Sequence, residues 1–486
     1  MHTLPDLSQL SHEQKDELIG LLFGQVQELM AQVQTLTAQV QAQQKRIEEL
    51  QGRLGLNSTN SSRPPSSDGL NKPAPNSLRK PAQRPSGGQK GHSGNTLRQT
   101  AQPDEIVTHQ APHRCPACHA TLECASLAEV RQVFDLPTLR FKVTEHRLMQ
   151  ARCRCGQVHR GQFPAQVSAA VQYGPQVLAA MVHLNQHHMV PVARTAQLMR
   201  DLFGLQVSEA IVLKACAQAK ERLQPTVDAI ARALQHAPIV HADETGLRAD
   251  KRLYWMHVQA TPTLTWVGCH PKRGSQAFEE FQSLPAFKGT LIHDGWAPYR
   301  ALECTHGLCN AHHLRELTYV HEQQNQAWAL DMIELLTQAQ QRTAQSGTPL
   351  PAVQLGHLRY VYDEILSQAE CENPRASATG KRGRVKQSKA ANLIARLRQY
   401  ADDVWRFATD AGVPFTNNIA EQAVRMPKVK QKISGGFRTL EGAKIFCVIR
   451  SYLATMHKQG ANLLEALTEV FRGTVPQPRG VGGGPE

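Results

Sequence analysis

Pro238-Ile239-Val240-His241-Ala242-Asp243-Glu244-Thr245 is a short apolar run that ends in two acids. Its length and its flanking residues predict a strand. Leu253 to Ala260 and Leu264 to Cys269 read as a second and a third strand, and Gly274 to Leu284 as a crossover helix. Gly289 to Trp296 reads as a fourth strand that again runs into an acid, Asp294, and Gly307 to Asn310 supplies a fifth. Three antiparallel strands, a helix and further strands is the order of a ribonuclease-H-like α/β sheet. In that order the first and fourth strands are neighbours, so Asp243 and Asp294 are expected to meet at the sheet edge. Side chains alternate along a strand, which assigns Glu244 to the opposite face.

Two carboxylates a few ångströms apart repel unless a cation sits between them, which suits Mg²⁺ or Mn²⁺. In-line phosphoryl chemistry on two ions, roughly 3.5–4 Å apart, needs a third carboxylate. Glu421 is the candidate, in Asn417-Asn418-Ile419-Ala420-Glu421-Gln422-Ala423-Val424-Arg425. Asn417 or Asn418 can cap a helix, which places Glu421 in its early turns facing the sheet. Arg425, four residues on, shares that helix face and is a candidate DNA contact, able to pair with Glu421 or a phosphate. Lys428, Lys430, Lys432 and Arg438 follow as candidate DNA contacts, and Gly435-Gly436 lets backbone approach a phosphate. A single Asp at a strand end is ordinarily a turn or cap residue. The reading rests on the constellation.

Upstream, Ile19, Leu22, Val26, Leu29, Val33, Leu36, Val40, Gln43, Ile47, Leu50 and Leu54 alternate three- and four-residue spacings. Ile and Val at a with Leu mostly at d favours a parallel dimer, so residues 1–56 are expected to be a coiled-coil helix that makes a homo-oligomer, a dimer through residues 19–54. Residues 57–104, rich in Asn, Ser, Pro and Gly and basic, read as a disordered linker or a basic arm along phosphates. In 105–165, Cys115-Pro116-Ala117-Cys118 and Cys153-Arg154-Cys155-Gly156 flank a strand-like stretch from Val130 to Ala151. Two cysteine knuckles can close a tetrahedral thiolate site on a structural Zn²⁺, and four thiolates leave no open position for catalysis. Within 166–236, helices are expected from Pro175 to His187, from Val192 to Phe203, and from a Ser208 cap through Ala219. Gly204 turns between the last two in a helix-turn-helix-like order.

Downstream, residues 237–473 form the expected catalytic domain, with an all-helical insertion over about 315–410. Its loop carries Lys381, Arg382 and Arg384 as further candidate DNA contacts, and residues 474–486 read as a disordered tail.

Lys plus Arg number 54 against 41 for Asp plus Glu, a formal net charge of +13 over 486 residues, which points to a polyanionic partner. No apolar run approaches the roughly 18–20 residues of a membrane span. Asp6, Glu13, Lys15, Asp16 and Glu17 interrupt any signal-peptide core. Eleven scattered cysteines fit a reducing compartment better than a disulfide scaffold.

The chain resembles transposases of the IS-66 insertion-sequence family, a branch of the DDE transposases. The likeness is carried by the heptads, by Asn60-Ser61-Ser62-Arg63-Pro64-Pro65-Ser66-Ser67-Asp68, by Gly87-Gly88-Gln89-Lys90-Gly91-His92 and by the cysteine pairs. It continues through His241-Ala242-Asp243-Glu244-Thr245, Asp294-Gly295-Trp296-Ala297-Pro298-Tyr299, Cys309-Asn310-Ala311-His312-His313-Leu314-Arg315 and Asn417-Asn418-Ile419-Ala420-Glu421. Gln422 stands where many relatives carry Arg. The resemblance implies Asp243, Asp294 and Glu421 as catalytic residues and Mg²⁺-dependent hydrolysis at transposon ends. It also implies attack of the freed 3′-hydroxyl on target DNA. The expected partners are double-stranded DNA, as terminal inverted repeats and target, and accessory proteins of the same element. The expected location is the bacterial cytoplasm, at the nucleoid. A DNA-binding repressor without catalysis and a nuclease without strand transfer are the rival readings. Cys309 and His312 read first as structural residues.

Overall fold

The computed structural model describes residues 10–57, 60–61, 97–121, 126–137, 139–377 and 385–481. It is a multidomain α+β protein with an N-terminal helix, a cysteine region and sheet-containing segments. The chain forms two compact units, Met1–Asn76 with Thr290–Asn418, and Ser77–Gly289 with Ile419–Glu486. The division falls inside the expected 237–473 domain, between the crossover helix and the fourth strand.

The first unit opens with helix α1 (His12–Leu54). Ser11 and Gln14 form a reciprocal capping box at its start, a cap that contributes about 1 kcal/mol. Its heptad residues are exposed, from 43% at Leu50 to 63% at Ile19 and Val40, and 85% at Leu54. The apolar stripe therefore has no cover within the described chain. Just past the helix, Asn57 and Asn60 bond each other's backbone N–H through their side-chain oxygens, and Asn60 also donates to the Gly55 carbonyl. Asn60 is only 1% exposed, so Asn57 and Asn60, at the start of the expected linker, are held in place. Most of 57–104 and the Gly87–His92 motif lie outside the described residues.

The second unit holds the cysteine region, where β1 (Gln150–Arg152) and β2 (Val158–Arg160) form a short antiparallel hairpin. The strand expected from Val130 to Ala151 is realised only at its end. Val133, Leu139, Phe141, Val143 and Leu148 are exposed, because no neighbouring strand covers their face among the described residues.

Helix α2 (Pro175–Val182) runs into a π-turn (His183–His187), followed by α3 (Val192–Phe203) and α4 (Glu209–Gln235). Gly204 ends α3 at φ +69°, and the Ser208 hydroxyl accepts the Ile211 N–H to start α4. The third helix thus runs to Gln235 rather than Ala219. Pro225 sits inside it at an exposed position, where the missing N–H costs least.

Strands β3 (Ile239–Ala249), β4 (Arg252–Ala260) and β5 (Thr265–His270) then form an antiparallel sheet in the order β5-β4-β3, followed by helix α5 (Ser275–Phe281). Asp250 and Lys251 both take positive φ (48° and 60°), which gives the tight two-residue turn between β3 and β4.

The rest of the first unit begins with β6 (Thr290–His293) and β7 (Thr305–Leu308), a parallel pair. The expected all-helical segment follows as α6 (Asn310–Gln324), α7 (Ala327–Ser346), α8 (Ala352–Glu372), α9 (Lys389–Gln399), α10 (Ala401–Val404) and α11 (Arg406–Thr409). It packs around Trp328, Tyr362 and Trp405, each buried to 1% or less.

The second unit closes with α12 (Asn418–Ser434), α13 (Leu440–Lys458) and α14 (Leu463–Arg472). Leu247, Ala249, Met256, Val258 and Val267 from the sheet pack with Val424 of α12 and Ala443, Phe446 and Cys447 of α13. Helix α13 also satisfies the outer edge of β5. Ser451 Oγ accepts the Val267 N–H at 2.8 Å, and Thr455 Oγ1 accepts the Thr265 N–H at 3.0 Å and donates to the Thr265 carbonyl at 3.1 Å. An edge strand is thereby closed to pairing with another chain. The end of the chain, expected to be disordered, is held through Val481. Tyr452 donates to the Pro476 carbonyl, Gln477 to Thr226, and Arg479 to Gln459.

Candidate functional site

Asp243 lies on β3 and is half-buried. Its Oδ1 accepts the N–H of Glu244 at 2.8 Å, which fixes the carboxylate against the strand. Strand pairing is continuous from His241 to Ala249, so Asp243, Thr245, Leu247 and Ala249 share one face. Leu247 and Ala249 are packed under α12 and α13 on that face. Helix α12 begins at Asn418, with Asn417 just before it and Glu421 in its first turn, where the helix dipole favours an acid.

Glu244 points to the other face, as alternation requires. Its side chain is 1% exposed and paired with Arg273, whose Nε lies 2.9 Å from Glu244 Oε1. Arg273 also stacks over the Trp255 ring at 4.9 Å. Glu244 thus joins β3 to the turn before α5 and is occupied structurally.

Asp294 belongs to the first unit and follows directly on β6. Its Oδ1 accepts the Trp296 N–H at 2.9 Å, across Gly295 at φ +90°. Beside it, His293 Nδ1 accepts the Gly295 N–H and His293 Nε2 meets His306 Nδ1 at 3.1 Å. Burial, aided by Arg300 and His306, keeps His293 well below the usual imidazole pKa. Cys309 is buried, and its sulfur accepts the Asn417 N–H at 3.2 Å.

Helix α12 presents Arg425, Lys428 and Lys432 to solvent at i, i+3 and i+7, and Arg438 is exposed beyond its end. Lys430 departs from the expectation of a surface cation. It is 8% exposed, near Cys216, and burial lowers its pKa. Its side chain points inward because residue 430 lies off the face shared by 425, 428 and 432. Lys381, Arg382 and Arg384 lie outside the described residues.

Sequence reasoning overlooked three exposed cations at the β3–β4 turn, Arg248, Lys251 and Arg252. They sit close to Arg438, because the Phe437 N–H donates to the Arg248 carbonyl at 2.9 Å and the Asp250 N–H to the Phe437 carbonyl at 3.2 Å. A Cβ on Gly436, at φ +139°, would lie 2.7 Å from that Arg248 carbonyl, so only glycine allows the approach. The cluster Arg248-Ala249-Asp250-Lys251-Arg252 between two apolar runs was the available signal.

In the cysteine region, Cys115 N–H donates to the Ala120 carbonyl and Cys153 N–H to the Gln157 carbonyl, each closing a knuckle. Hydrogen bonds from the Cys118 and Ala117 backbone and the Cys118 thiol lower the Cys115 pKa, and Cys155 does the same for Cys153. The members of each pair are therefore adjacent, and Cys115 and Cys153 are held below the usual thiol pKa by their neighbours. The two pairs do not converge, since no three of the four sulfurs lie within 4.8 Å of one another.

Cysteine knuckles, one acid within a strand and another just past one, and a cationic helix on one basic chain define a modular protein suited to a nucleic acid. Residues 170–445, more than half of the chain, match the transposase IS66 family, and residues 112–156 match the zinc-finger binding domain of transposase IS66. The chain belongs to the IS66 transposase family. Residues 5–98 match a family of unknown function, and no curated protein matches the chain. Among the described residues no helix is long and apolar enough to cross a membrane.

Proposed function

We propose that the protein is a DDE-type DNA transposase in which Asp243, Asp294 and Glu421 converge to hold catalytic Mg²⁺ (or Mn²⁺). The observation that carries the reading lies within one unit. Asp243 is on the sheet face that α12 covers, and Glu421 is in the first turn of α12. The chain order of three antiparallel strands, a helix and a parallel pair supports a ribonuclease-H-like sheet, in which Asp294 would come beside Asp243. Three carboxylates, two of them aimed by backbone N–H groups, are the hard oxygen donors that Mg²⁺ prefers. When bound, such ions neutralise phosphate charge and favour in-line attack by water or a 3′-hydroxyl.

The chain's own groups supply the rest. Arg425, Lys428, Lys432 and Arg438 track the phosphates of a transposon end, and Arg248, Lys251 and Arg252 extend that track. Cys115, Cys118, Cys153 and Cys155 are the proposed Zn²⁺ ligands. Adjacent thiol pairs on two knuckles fit the ion once the knuckles close on each other. The exposed heptad stripe of α1 is the proposed dimer seam, which would bring two DNA ends together.

The test is incubation of purified protein with Mg²⁺ and DNA carrying the element's terminal repeat. Nicking at the 3′ end and joined products are expected. Asp243→Asn, Asp294→Asn and Glu421→Gln should each reduce both to background while DNA binding persists. Full activity in any of them would remove that residue from the site.

A further inference from the structure

Away from the acids and thiols, three histidines gather on one turn of the second unit. His183, His187 and His188 follow the pattern His-x-x-x-His-His. In an α-helix, residue i+5 lies about 140° around the axis from residue i, so His188 would point away from His183. The π-turn removes that offset. The His188 N–H donates to the His183 carbonyl five residues back, at 3.2 Å, and both imidazoles come to one side. The chain then turns sharply, with Met189 at φ +60° although it is 1% exposed in the core. A bulky buried residue in that conformation is held there by its surroundings, and such strain concentrates at functional sites.

The three rings form a nearly equilateral triangle, with centroids 5.1, 4.7 and 4.9 Å apart. His183 Nε2 and His188 Nε2 are 3.1 Å apart. Two nitrogens on one tetrahedral ion, with bonds of about 2.0–2.1 Å, stand about 3.3 Å apart. Burial keeps His183 and His187 below the usual imidazole pKa, so neither carries an extra proton at pH 7, and the single hydrogen shared by His183 Nε2 and His188 Nε2 has only to move to a ring Nδ1 for both to face a metal. The nitrogens of all three rings do not lie within 4.8 Å of one another in this conformation, so the proposed site requires the His187 ring to turn toward the other two. His457 lies 6.2 Å from His187, and Arg450 is close enough to act on its charge. The Arg450 guanidinium favours an anion as fourth ligand. Nitrogen donors select a borderline transition ion over Mg²⁺.

We propose that His183, His187 and His188 form a site for a transition-metal ion, Zn²⁺ foremost, that pins the junction between α2 and α3. It stands apart from the four thiols and from the acids, and its test does not depend on transposition.

The experiment uses untagged, metal-stripped full-length protein reloaded with Zn²⁺ and freed of excess by gel filtration. His183→Gln and His188→Gln should each lower the bound Zn²⁺ by one equivalent relative to the parent, with unchanged far-ultraviolet circular dichroism. His188 is exposed, so its variant should fold. In protein carrying Cys115→Ser and Cys153→Ser, Co²⁺ should still give the visible bands of a nitrogen-ligated tetrahedral ion. Its affinity should fall at least about tenfold in His188→Gln, since even the hydrogen-bonded support of a metal ligand is worth that much. Unchanged Zn²⁺ content in both histidine variants would overturn the proposal, as would Co²⁺ bands that persist in them. A thermal midpoint raised by inorganic phosphate but not by Zn²⁺, and only with the histidines present, would overturn it in favour of an anion site.

Discussion

Val133, Phe141 and Val143 in the cysteine region are 91%, 45% and 78% exposed, whereas Leu247, Met256, Val258 and Val267 in the sheet of the second unit are 3% exposed or less. Both stretches place apolar residues at alternating positions. The sheet has α12 and α13 over one face and paired neighbours along β3 and β4. The cysteine region has one hairpin of three-residue strands. Alternation creates an apolar face, and only a covering layer turns that face into stability. A region that cannot recruit such a layer must draw its folding energy elsewhere, and a thiolate-bound ion is the available source.

The sharpest way to break this comparison is a paired truncation. Phe446→Ala removes a ring 1% exposed beneath the sheet and should cost about 3–5 kcal/mol in urea unfolding. Phe141→Ala, in the cysteine region, should cost within about 0.5 kcal/mol. Equal losses would show that both regions own a packed core. A smaller effect is expected from a strong zinc chelator. It should expose residues 105–165 to proteolysis while the main thermal transition moves little, and a common shift of both would join the two regions into one cooperative unit.

The mildest probe is pH. Burial lowers the pKa of His187 and of His257 to about 4, against an ordinary 6.5. Below pH 6.5 the unfolded chain takes up protons that the folded chain refuses. Stability from these rings is therefore complete above about pH 6.5 and declines as pH falls toward 4. His257→Gln should flatten that decline in thermal midpoints measured from pH 7 to 4.5, and no change in slope would separate His257 from it.

Much of the sheet was legible because strand signals are local. The runs at 253–260, 264–269 and 289–296 matched strands to within a few residues, and Asp294 fell just past the end of one, but β3 continues to Ala249 and leaves Asp243 in mid-strand rather than at the end expected for it. The opposite face of Glu244 followed from the two-residue period alone. Less was legible where the outcome depended on contacts distant in sequence. The third helix was expected to run through Ala219, yet α4 continues to Gln235, with Pro225 inside it at an exposed position. Lys430 looked like one more cation in a basic run and proved to be buried near Cys216. The turn at Asp250-Lys251 lacks the glycine that announces such turns, so its three cations passed unnoticed.

By itself, then, the sequence determined the order of elements, the heptads, the thiol pairs and the acids proposed to hold metal ions. Each is written in spacing and side-chain chemistry. Tertiary structure decided which apolar faces were covered, which lysine was lost to the interior, and that α12 lies over the face of β3 that carries Asp243. It also decided that a π-turn would gather three imidazoles on one side. Those outcomes depend on packing between segments far apart in the chain, which no local pattern encodes.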